Sequence, residues 1–99
     1  KRIAAVLAQG EGWESYLRER LVFPFEAEVD EFHTRGPLHA GDRVQVTGIL
    51  MEDDSYGVMA NVQTGGRRYA HPLGNLEVGD RQSPNYEIVD DYRTWIAEN

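Results

Sequence analysis

Three groups of neighbouring carboxylates are the residues of this sequence best suited to chemistry. Glu26, Glu28 and Asp30, with Glu31 beside them, form the first; Glu52, Asp53 and Asp54 form the second; Asp90 and Asp91 form the third. Like charges this close repel, and a cation between them relieves the cost of holding them together. Oxygen-only donors suit a hard dication. Ca²⁺ takes about six to eight oxygens in a flexible arrangement, which loop carboxylates and main-chain carbonyls can supply. The chain has no cysteine and three histidines, His33, His39 and His71. None of them stands at a zinc-ligand spacing, so soft and imidazole-based metal chemistry lacks a framework. The plainer reading of each acidic cluster is a solvated face, or charge that keeps a strand edge from aggregating. The EF-hand pattern does not start at Asp30 or Asp53, so a Ca²⁺ site here is of non-EF-hand construction.

Catalysis finds little support. Ser15, Ser55 and Ser83 lack the G-x-S-x-G context of a hydrolase elbow, and no nucleophile, base and orienting group are suggested together. The expectation is a protein that is not an enzyme. Seventeen acidic residues against ten basic ones give a net charge of −7. Such a surface repels phosphate backbones and anionic lipid and attracts cations, so neither nucleic acid nor a membrane is an expected partner. No stretch approaches the roughly 20 apolar residues of a membrane span. The apolar run Ile3–Ala8 is too short for a secretory leader and reads as part of a helix. Absence of cysteine suits a reducing, cytoplasmic setting.

The elements that must carry these groups follow from periodicity. Ninety-nine residues is the length of one domain, taken here as 1–99. Trp13, Tyr16, Leu17 and Leu21 recur at helical spacing. Gly10-Glu11-Gly12 divides this helical segment in two, and Phe23-Pro24-Phe25 ends it. From Phe25 the period becomes two: Phe25, Ala27 and Val29 face one way, and Glu26, Glu28 and Asp30 the other. After loop chemistry at 34–37, Gly41-Asp42 opens a second strand running to Met51. Glu52-Asp53-Asp54-Ser55 reads as an exposed acidic loop. A third strand, 57–63, turns through Thr64-Gly65-Gly66 into a fourth, 67–71. Pro72 to Leu76 suits a 3₁₀ turn, and Glu77-Val78 a last short strand. Ser83-Pro84-Asn85 starts a final helix with an apolar stripe at Ile88, Tyr92, Trp95 and Ile96. The class is α+β: about five short antiparallel strands curled into an SH3-like barrel, with an N-terminal helical segment and a C-terminal helix capping its ends. Trp13, Tyr16, Tyr92 and Trp95 fit a helical core; the alternative is the aromatic groove of a protein-interaction module without metal, its partner unidentified.

Together these residues carry a family resemblance. Gly12-Trp13, Tyr16-Leu17 and Leu21-Val22-Phe23-Pro24-Phe25-Glu26-Ala27 resemble the W-x-x-Y-L…L-x-F-P-F-x-A signature of the cyanobacterial calcium-binding protein (CcbP) family. The likeness continues through Pro37-Leu38 and Gly41 to Gly48, resumes at Gly66-Arg67 and Pro72 to Glu77, and closes with Asp91-Tyr92-Arg93-Thr94-Trp95. The resemblance implies a small acidic protein that buffers or senses intracellular Ca²⁺ without EF-hands. The family's acidic loop after the second strand corresponds to Glu52-Asp53-Asp54, shorter here, and Tyr92 stands where the family has tryptophan. On this reading the metal ligands come first from Glu52, Asp53 and Asp54, then from Asp90 and Asp91, then from Glu26, Glu28 and Asp30.

Overall fold

The computed structural model describes residues 12–30 and 36–98. The first helical piece expected before Gly10, and Glu31 with the start of the following loop, lie outside them. Helix α1 (Trp13–Arg20) buries Trp13, Tyr16 and Leu17, the three-four stripe its sequence carries. Glu14 and Arg18 on its outer side form an i,i+4 pair at 3.1 Å. Leu21 follows at the helix end, buried. Strand β1 (Phe25–Val29) alternates buried and exposed along its whole length, with Phe25, Ala27 and Val29 in the core.

Strand β2 (Arg43–Asp53) pairs with β1 and with β3 (Gly57–Thr64), and β3 pairs with β4 (Arg67–Pro72); all are antiparallel. The sequence places the end of β2 at Met51, but the strand continues through Glu52 and Asp53, opposite Val58 and Gly57. Hydrogen-bonded pairing with β3 carries two carboxylates into the strand, because at a hairpin end neither side chain has to enter the core: Glu52 is exposed and Asp53 half-buried. A single 3₁₀ turn (Leu73–Asn75) leads to β5 (Leu76–Glu77), one residue earlier than the expected Glu77-Val78. Helix α2 (Tyr86–Glu98) buries Ile88, Val89 and Tyr92.

The strand order is β4-β3-β2-β1-β5. A flat sheet of this order would set its edges about 19 Å apart, four spacings of about 4.8 Å. The four residue steps from Pro72 to Leu76 reach at most about 14 Å, so the sheet curls. It does not close. The expected barrel lacks a β4–β5 pairing, because the chain leaves β4 at a proline and β5 spends its two residues on β1, Glu28 opposite Glu77 and Val29 opposite Leu76. Nor do the helices cap opposite ends. Trp13 of α1 meets Tyr92 and Trp95 of α2 at ring-centroid distances of 5.3 and 5.7 Å, so the two helices pack on each other. Trp13 is 4% exposed; Trp13, Tyr16 and Tyr92 are core, and Trp95 packs half-buried against them.

Asn85 ties the start of α2 to the end of α1. It is buried, accepts a hydrogen bond from the Val22 N–H at 2.8 Å and donates its amide to the Val22 carbonyl at 2.9 Å. The adjoining Phe23–Pro24 peptide is cis.

Candidate metal-binding carboxylates

The acidic residues picked out in the sequence fall on three parts of this scaffold. Glu52 and Asp53 end β2, and Asp54 enters the turn to β3. Successive strand residues point to opposite faces, so Glu52 and Asp53 do not share a side. The Asp53 carboxylate is already in use: its Oδ2 accepts the backbone N–H groups of Ser55 and Tyr56 at 2.8 and 2.9 Å, an Asx turn that fixes the hairpin. Glu52 and Asp54 are exposed. Nearby main-chain oxygens that could complete a site are also engaged, since Arg18 of α1 donates to the Leu50 carbonyl at 2.8 Å and to that of Ile49 at 3.3 Å.

Glu26 and Glu28 lie on the exposed face of β1. They line an open cleft of about 600 Å³ with Glu77, Asp80, Arg43, Arg81 and Tyr86. Glu26 stands 3.6 Å from the Arg43 guanidinium, both well exposed, and the Asp80 Oδ1 accepts the Gln82 N–H at 2.9 Å.

Asp30 takes a different course from its strand neighbours. It is only 6% exposed, and its carboxylate is bound by Arg93 of α2. The same guanidinium reaches Glu77 at 3.3 Å and the Gly74 carbonyl at 3.3 Å. Arg93 is therefore the cation that Asp30 and Glu77 hold. Asp90, exposed on α2, borders a small hollow with Glu77 and Arg93, while Asp91, one helical step of about 100° away, points elsewhere. No local pattern in the sequence marks Glu77 and Arg93, which complete this arrangement. Their partnership joins residues 16 apart, and that with Asp30 spans 63, beyond any local pattern.

The donor chemistry fits a hard cation, being carboxylate and carbonyl oxygen throughout. The geometry does not assemble a cage. Among the described residues no group of three or more histidines and carboxylates stands close enough to hold a metal ion. His39 is exposed and donates its backbone N–H to Asp42 Oδ2 at 2.9 Å, and His71 is buried.

Comparisons with known proteins agree with this scaffold. The crystal structure of Anabaena CcbP superposes with a TM-score of 0.67 at 24% sequence identity, covering 86% of this chain and 71% of that one; at that identity the likeness is one of fold. No curated protein matches the chain in sequence. The profile of the CcbP family, described as calcium binding, matches residues 6–96. A match over nearly the whole length places this chain in the CcbP calcium-binding family, with Ca²⁺ as the bound ion.

Proposed function

We propose that residues 1–99 are a single non-catalytic domain that binds Ca²⁺ through surface carboxylates and buffers or senses it in the cytoplasm. The family match over residues 6–96 carries this reading. Glu52, Asp53 and Asp54 are the first ligands: the Asx turn at Asp53 holds the loop while the carboxylates of Glu52 and Asp54 stay in water. Asp90 and Asp91 come second. Glu26 and Glu28 follow, and Asp30 stands last because Arg93 neutralises it. The curl of the sheet and the 3₁₀ turn before β5 support an SH3-like arrangement of the open five-stranded sheet.

A site with no preformed cage gathers its ligands around the ion and binds it modestly, in the range of about 10⁻⁶ to 10⁻⁴ M. Thermal melts of the parent, of a Glu52→Gln/Asp53→Asn/Asp54→Asn variant and of a Glu26→Gln/Glu28→Gln variant test the assignment. Ca²⁺ should raise the melting temperature of the parent and of the strand variant but not of the turn variant. An equal rise in all three would remove the turn as the site.

A further inference from the structure

Among the described residues, β4 is the long strand at an end of the open sheet. Among the described residues β3 is the only strand paired with β4, whereas the opposite edge, β5, is two residues long. The hairpin register says which groups of β4 point outward. Gly65 and Gly66 both have positive φ, 56° and 76°, the geometry of a two-residue turn whose flanking residues, Thr64 and Arg67, exchange both hydrogen bonds. Alternation then makes Arg67, Tyr69 and His71 the residues bonded to β3, and turns the N–H and C=O of Arg68 and Ala70 away from the sheet. Pro72 takes the next outward position, where its missing N–H costs the ladder nothing.

The side chains along this edge have an unusual charge for this molecule. Arg67, Arg68 and Ala70 are exposed. In a chain with 17 acidic residues, neither Arg67 nor Arg68 forms an ion pair among the described residues. Charge and proline on an edge also deter aggregation, and two copies of a −7 chain meeting at four arginines repel each other. An acidic extended segment meets the opposite situation. At physiological salt, charges beyond about 8 Å are largely screened, so such a segment feels the two arginines more than the net charge.

We propose that the β4 edge is a docking site for an acidic, extended segment of a partner protein, added as a sixth strand. Main-chain bonds to Arg68 and Ala70 hold the segment, and two adjacent acidic side chains pair with Arg67 and Arg68, which lie on alternate faces. The site is separate from the Glu52-Asp53-Asp54 turn.

The test is fluorescence anisotropy of the intact protein with a blocked, labelled six-residue peptide of alternating valine and threonine that ends in two adjacent glutamates. Antiparallel addition brings those glutamates opposite Arg67 and Arg68. Binding should weaken at least tenfold when alternate peptide nitrogens are methylated, and at least tenfold in an Arg67→Glu/Arg68→Glu variant whose melting temperature matches the parent. N-methylated and parent peptides binding equally would overturn strand addition, since charge alone would then explain capture. Absence of binding at millimolar peptide would overturn the proposal. So would sedimentation showing a dimer of this chain that an Ala70→Pro variant loses, because a second copy would then occupy the edge.

Discussion

At Asp53 one carboxylate oxygen accepts two backbone N–H groups, so the residue shapes the turn with or without an ion. Removing the acceptor and removing the charge are separable. Asp53→Ala should cost about 1 kcal/mol of stability in denaturant unfolding without Ca²⁺. Asp53→Asn keeps an acceptor oxygen and should cost less. Equal losses would mean that the turn depends on charge rather than on the Asx hydrogen bonds. Tyr92 is the other residue whose environment makes a prediction. Burial pushes its phenol above the usual value near 10; the Val58 N–H, bonded to its oxygen at 2.9 Å, works against that, and Glu52 adds to it. The folded state thus keeps the proton that the unfolded chain releases near pH 10. The resulting stability is fully present below pH 10 and is lost as pH rises through the higher folded value. Unfolding measured between pH 8 and 11 should show this loss in the parent, and Tyr92→Phe should flatten it. That variant should also lose about 1–3 kcal/mol at neutral pH, since Val58 keeps a buried N–H with no acceptor.

Among the elements, α2 is the piece that joins the sheet to itself. Arg93 spans the end of β1, the 3₁₀ turn and β5 through Asp30, Gly74 and Glu77. Arg93→Met should cost about 3 kcal/mol, the usual scale for breaking a largely buried pair. Adding Asp30→Asn should recover part of the loss; a double variant as unstable as the sum of both singles would contradict the coupling. Helix α2 also closes over the start of β3. Gly57 has φ +74°, and a Cβ there would sit 2.5 Å from the Tyr92 hydroxyl and 2.6 Å from Ile96 Cδ1. Gly57→Ala should therefore cost about 1–3 kcal/mol, read by chemical unfolding. Local chemistry made much of this legible in advance. The alternation of Phe25, Ala27 and Val29 with glutamates, the Gly65-Gly66 turn and the apolar stripe of α2 each depend on near neighbours. Three features do not. Asp30 shares the parity of Glu26 and Glu28 yet turns inward, because its partner lies on α2. Glu52 and Asp53 remain in β2 because β3 pairs with them. The sheet stays open because the two residues of β5 pair with β1. For the candidate site, the sequence names the carboxylates, but only the fold tells which are already neutralised.

On the scale of the whole molecule, a net charge of −7 opposes compaction, and a bound dication relieves it. An ion that binds only the folded arrangement stabilises it by mass action, by about 2.7 kcal/mol per site at a hundredfold excess over the dissociation constant. The gain should shrink as sodium chloride screens the exposed carboxylates. Among the described residues no helix is long and apolar enough to cross a membrane. The proposed Ca²⁺ site of this acidic, open-sheet member of the CcbP family is the β2–β3 turn. Calorimetric titration of Ca²⁺ into the parent and into Glu52→Gln/Asp53→Asn/Asp54→Asn, each at low and moderate salt, tests it most directly. The parent should give saturable heat with a dissociation constant of about 10⁻⁶ to 10⁻⁴ M, weaker at the higher salt, and binding should be at least tenfold weaker in the variant. Titration without heat at millimolar Ca²⁺, together with an unchanged melting temperature, would contradict it.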